Sequence, residues 1–188
     1  MTAQAVGSAA PARPGPPRPA ARTWRLRPAW RAAWVSAHVV ASVGWLGVHG
    51  GVLALVVTGL AAESPGAAAG AYAGAAQLVR LLVLPLSLTA LVTGLVLSLG
   101  TPWGLFRHYW VALKLVFTAL LVAGSNLSLG PMVLDLAAAT ADGSVLPSDL
   151  DRARPAIALS VALTLLLAST LLSTVKPFGR IRTPARAG

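Results

Sequence analysis

The chain has 188 residues, of which 56% are apolar and only 11% charged, and it contains no cysteine. A soluble domain carries roughly a quarter charged residues, so this composition describes a membrane protein; the missing cysteine excludes disulfides, thiolate metal sites and cysteine nucleophiles. The formal net charge of +10 does not describe a nucleic-acid binder, because the basic residues gather toward the chain ends instead of forming a basic face interleaved with aromatics.

In chain order, residues 1–33 form a Pro/Ala/Arg tail with six prolines between Pro11 and Pro28. Almost nothing there can build a core, and the expectation is a disordered cytoplasmic extension. The tail is too long and too proline-rich for a secretory n-region, and the apolar run after it exceeds the ~7–15 residues of an h-region. A retained signal anchor fits better than a cleaved signal. Four apolar segments follow, at about 34–60, 77–100, 108–130 and 155–175. Each meets the ~20 residues that a helix needs to cross a hydrocarbon core. The connectors carry the breakers: "AAESPGAAAGAYAGAA", "TPWGLFR" and the long "GPMVLDLAAATADGSVLPSDLDR", which holds four of the five acidic residues. Residues 176–188 read as a basic cytoplasmic tail.

Lys/Arg asymmetry sets the orientation. With the N-terminus inside, eleven basic residues fall on the inner side and only Arg80, Arg152 and Arg154 on the outer side. The expectation is therefore an all-α integral membrane bundle of four transmembrane helices in the cell (plasma) membrane, both termini cytoplasmic. Trp34, Trp103, Tyr109 and Trp110 fall near the interfaces, as an aromatic belt requires.

The first span carries "HVVASVGWLGVHGG" at residues 38–51. At 100° per residue His38, Ser42, Trp45, His49 and Val52 share one face, and Gly44, Gly47 and Gly51 lie opposite. The histidine stripe is expected to face the bundle interior, since ionisable groups facing lipid are costly. The glycine stripe, with Gly47 and Gly51 in GxxxG spacing, is expected to let a neighbouring backbone approach. The imidazoles of His38 and His49 stand ~16.5 Å apart along the axis. In the second span Arg80, Ser87, Gly94 and Ser98 line up, with Pro85 as a kink; Arg80 reads as an outer interfacial anchor. The third span starts near His108 and carries Lys114 in its cytoplasmic half, at the depth of His38, with Trp110, Thr118, Leu121 and Ser125 on the same face. Insertion of such a lysine costs ~2.5–3.5 kcal/mol before snorkelling relieves it. The fourth span offers only hydroxyls, with Ser160 and Thr164 on one face. No carboxylate lies inside a span, and no H-E-x-x-H, Walker, GxSxG or GxGxxG motif is present, which argues against a hydrolase or a nucleotide-driven pump.

The stretches "HVVASVGWLGVHGGVLAL" and "LPLSLTALVTGLVLSLGTPWGLFRHYWVALKLVFTALLV" resemble the DUF2269-type integral membrane proteins of four spans, over about residues 34–175. That resemblance implies the architecture and carries no activity. More distantly, the layout is similar to CopD-like copper-resistance domains and to HemJ-type haem-binding membrane proteins. Both have a histidine before W-x-G in an early helix and a lysine after an aromatic in a later one. The matching positions here are His38, Trp45 and Gly47, then Trp110 and Lys114; the fourth span has no histidine or methionine.

Three functional readings stand. The first is a non-enzymatic membrane component or subunit, held in the bilayer with a copy of itself or a partner protein. The second is a haem- or copper-binding protein with His38 as ligand, Lys114 pairing with a propionate or carboxylate, and His49 and His108 as further candidates; haem b suits an imidazole ligand, as copper does. The third is an oligomeric transporter of a small solute with Lys114 and Arg80 as anion contacts.

Overall fold

A computed structural model describes residues 26–100 and 109–175 of the chain. Helix α1 spans Pro28–Leu60, with proline in its first turn after the extended Arg27, where a missing N–H costs nothing. Helix α2 (Pro65–Leu78) starts on a Ser64 cap that accepts from the Ala67 amide at 3.4 Å. It runs through a π-helical turn at Val79–Val83 into α3 (Leu84–Gly100). Helix α4 (Tyr109–Gly124) likewise runs through a π-helical turn at Ser125–Leu129 into α5 (Gly130–Ala139), and α6 is Asp149–Val175. No strand occurs among the described residues. Four helical rods are long and apolar enough to cross a membrane: Pro28–Leu60, Pro65–Gly100, Val111–Ala139 and Asp149–Leu171. The protein is therefore an all-α bundle of four membrane-crossing helices.

Three boundaries differ from the expectation, and each has a physical reason. The first helix starts at Pro28 rather than residue 34 because proline at the helix start is preorganised for it. The Ala/Gly-rich segment expected to be a connector is helical from Pro65, because it packs on α1 and buries Ala68, Tyr72, Ala75 and Ala76. The long third connector shrinks to residues 140–148, because Pro131 does not end its helix. A proline lacks an N–H and its ring presses on the carbonyl four residues back. The π-helical turn ahead of Pro131, closed by the Gly130 amide on the Ser125 carbonyl, absorbs that conflict. The turn at Val79–Val83 does the same ahead of Pro85, so the expected kink takes that form. The tail at 1–25 and the segment 176–188 lie outside the described residues.

Helix α1 occupies the middle, packed on α2 and α3 on one side and α6 on the other, with α4 closing against α3 and α6. In one half of the bundle Ala41, Trp45, Ala90, Leu121, Ala162 and Leu166 form the core. In the other half it is Val52, Val56, Ala75, Val133, Ala156 and Leu159. Leucines and valines such as Val40, Val43, Leu81, Leu120 and Leu171 point outward, which suits a hydrocarbon surround. Small residues dominate the interior, as expected where helices associate by close packing.

Arg152 ties off the α1 end of this second core. Its guanidinium donates to the carbonyls of Leu60 (3.1 Å) and Ala62 (3.4 Å), and it pairs with Asp149. Beside it the buried Tyr72 ring covers Gly59, where a Cβ would collide with the ring. In the loop beyond α5 the Asp142 carboxylate accepts from the amide and hydroxyl of Ser144, which holds its carboxyl below the usual carboxylate range.

Candidate functional site

The histidine stripe does face inward. Trp45, His49 and Val52 are buried, while His38 and Ser42 are half-buried. The glycine stripe does not bring backbones together. Gly44 and Gly51 meet leucine side chains, and nothing lies within 4 Å of a Cβ at Gly47, so the GxxxG expectation is corrected. The tightest approaches made possible by a missing side chain are instead at Gly59, at Gly94 on α3 and at Gly130 beside the Ser125 carbonyl.

Gly94 positions His38. A Cβ there would stand 3.1 Å from His38 Cε1, so glycine lets the imidazole lie against the α3 backbone. His38 Nδ1 is 3.1 Å from the Ala90 carbonyl and 2.9 Å from Thr93 Oγ1. The Thr93 hydroxyl donates to the Thr89 carbonyl at 2.6 Å, so its lone pairs face the ring. A carbonyl only accepts, so Nδ1 must carry the proton. With the Ala90 carbonyl as acceptor, the neutral ring is assigned the Nδ1–H tautomer, which leaves the lone pair on Nε2.

Two cavities meet at this imidazole. The larger, about 200 Å³, lies between α3 and α4 and is lined by Leu91, Gly94, Leu97, Ser98, Val111 and Leu115. The smaller, about 40 Å³, reaches into the core toward α6 and is lined by Ser42, Trp45, Leu46, Leu166, Ser169 and Thr170. His38, Ala90, Lys114 and Thr118 line both. The structure thus brings His38 and Lys114, from different helices, to the border between two chambers. Thr118, one turn beyond Lys114, donates to the Lys114 carbonyl at 2.9 Å.

The other candidates lie elsewhere. His49 is buried against Trp45, their rings edge-on at 5.7 Å, and its Nε2 is 3.2 Å from Ser125 Oγ at the second π-helical turn. Its Nδ1 faces the Trp45 carbonyl without a well-aligned bond. With Ser125 it lines a separate void of only about 10 Å³, room for a single water. Arg80 is exposed in the first π-helical turn and lines neither chamber. Ser160 and Thr164 are exposed and donate to carbonyls of their own helix. His108 lies outside the described residues. Sequence reasoning passed over Thr93, the capping role of Arg152, and Asn126, whose side-chain amide donates to Ser87 Oγ on α3 at 3.1 Å. Thr93 had one legible signal, the Thr-Gly pair 93–94 in a span of bulkier residues.

The haem and copper readings can be tested on this geometry. A backbone carbonyl fixing Nδ1–H is the usual support for an imidazole that ligates through Nε2. The rest of the donor set does not follow. Among the described residues no second imidazole or thioether lines either chamber, and no group of three metal-binding side chains occurs. The larger chamber, at about 200 Å³, is below the ~300–1,000 Å³ of common small-molecule pockets. The described residues offer a single imidazole contact to these chambers, and His108 lies outside those residues. Compared with protein-family models, curated proteins and solved structures, the chain matches none.

Proposed function

We propose that this protein is a non-enzymatic multi-pass component of the plasma membrane, or a subunit of a membrane assembly, that binds a small ligand between α1, α3 and α4. Both termini lie in the cytoplasm on this reading, supported by the eleven-to-three distribution of Lys and Arg across the spans. One observation carries it: an imidazole held by its Nδ1–H stands beside Lys114 on the wall of an apolar cavity of about 200 Å³. A mostly apolar pocket with a few convergent polar groups is the usual form of a ligand site. A buried lysine facing a cavity, with no carboxylate on its walls, suits holding an acidic group better than catalysing a reaction. Arg80 lines neither chamber, so the transporter reading loses one of its two anion contacts.

The test is to purify the full chain in mild detergent, extract it with organic solvent and identify released small molecules by mass spectrometry. Wild type should release a compound that Lys114→Gln and His38→Ala do not retain. Equal release from all three, or none from any, overturns the binding role. The cofactor reading, favoured by the carbonyl-pinned imidazole alone, is read from the same sample: a reducible Soret band lost in His38→Ala would restore it.

A further inference from the structure

The two chambers differ in chemistry, and the difference specifies a ligand. Beyond the four residues that line both, the larger is walled by Leu91, Leu97, Val111, Leu115, Gly94 and Ser98, between two helices whose other faces carry exposed Val92, Leu95 and Leu99 on α3 and Leu113, Val116 and Leu120 on α4. The smaller adds the hydroxyls of Ser42, Ser169 and Thr170 and the Trp45 indole, with Leu46 and Leu166 beside them. Trp45 is 2% exposed, and its Nε1–H has no hydrogen-bond partner. A buried donor left unpaired costs free energy, and one beside a polar cavity points to an acceptor that occupies it. No acidic side chain lines either chamber among the described residues, and the Trp45 N–H meets none of the hydroxyls beside it, so its acceptor comes from what fills the chamber. Size narrows it further. A chamber of about 40 Å³ admits about three waters or one carboxylate. A phosphodiester, substituted on both sides, does not fit.

From this, and resting on the binding role above, we infer that the ligand is a single-chain amphiphile with a carboxylate head, a fatty acid in chemical class. The head lies in the small chamber, accepting from Lys114 and from Trp45 Nε1–H. The first part of the chain crosses the border at His38 and Thr118 and lies in the larger chamber. The rest passes out between α3 and α4 into the bilayer, which is also the route by which the molecule arrives. His38, fixed with its Nε2 lone pair available, accepts a hydrogen bond from the head in its protonated form.

The experiment uses the full chain in phosphatidylcholine nanodiscs with radiolabelled palmitate as the probe. Binding should saturate at one per chain. Unlabelled palmitate should compete, whereas hexadecanol, which lacks the charge, and phosphatidic acid, which has a larger head, should not. Lys114→Gln should weaken binding by about tenfold or more, the loss of one charge-assisted contact, and Lys114→Arg by clearly less. Trp45→Phe keeps the aromatic packing and removes only the N–H; it should weaken binding several-fold with the protein still folded by circular dichroism. Leu97→Trp should block the chain while leaving Lys114 in place. Competition by hexadecanol equal to palmitate, or Trp45→Phe and Lys114→Gln both binding as wild type, overturns the inference. Absence of palmitate binding, alongside a different extracted compound that depends on Lys114, would overturn the carboxylate amphiphile and leave the binding role standing.

Discussion

Arg152 and Arg154 count equally as outer-face charges in the sequence, yet the fold gives them unequal work. Arg152 is buried and donates to two carbonyls at the end of α1. Its pair with Asp149 adds little, because the Asp149 side chain is 91% exposed and solvent screens it. Each charge-assisted bond to a carbonyl contributes about 1.5–3 kcal/mol. Part of that is offset by the cost of burying the guanidinium, whose Nε has no partner. The net loss for Arg152→Met is therefore about 2–4 kcal/mol. Arg154 pairs with Asp151 at 3.4 Å with both side chains more than half exposed, so Arg154→Met should change stability by less than about 0.5 kcal/mol. The assay is unfolding by sodium dodecyl sulfate titration in mixed micelles, followed by circular dichroism. Equal midpoints for the two variants would refute the capping role and reduce both arginines to topological charges.

Tyr72→Phe should raise stability by up to about 1 kcal/mol in the same titration, because the buried Tyr72 hydroxyl has no partner to lose. Gly94→Ala should displace the His38 ring and weaken ligand retention while the protein still folds; unchanged retention would mean that Gly94 does not position the ring. Ser125→Ala removes the interhelical contact to His49 and should cost about 0.6 kcal/mol, with about 1.7 as the upper bound seen for such bonds in membranes. The Asp142 carboxyl titrates below its unfolded value, so its contribution to the 140–148 loop is present above that value and is lost as pH falls through the folded one. Protection of the Ser144 amide against hydrogen exchange, taken relative to its intrinsic rate at each pH, should fall on acidification over that window and stop responding in Asp142→Asn.

The four crossings were legible because twenty apolar residues in a row permit little else, and the inward face of α1 followed from the 100° step. The pairing of His38 with Lys114 was legible only as shared depth. That they meet on one cavity depends on which helices are neighbours, and periodicity carries no information about that. Pro85 was read as a kink and Pro131 as part of a breaking connector because, locally, proline disrupts a helix. Tertiary packing on both sides of each one holds the rod together through a π-helical turn. Arg152 shows the same limit: its charge is visible in the sequence, but the carbonyls it caps are about ninety residues earlier in the chain.

His38 lines both cavities, and a ligand role requires its Nε2 to meet what fills them instead of merely packing. The most direct measurement is the nitrogen-15 imidazole spectrum of the full chain in lipid nanodiscs, with His49→Gln and His108→Gln used for assignment. A neutral Nδ1–H ring whose unprotonated Nε2 resonance shifts when the extracted ligand is restored is the predicted result. An Nε2–H tautomer, or a ring indifferent to that ligand, would contradict the account and leave His38 as one more polar group holding helices together.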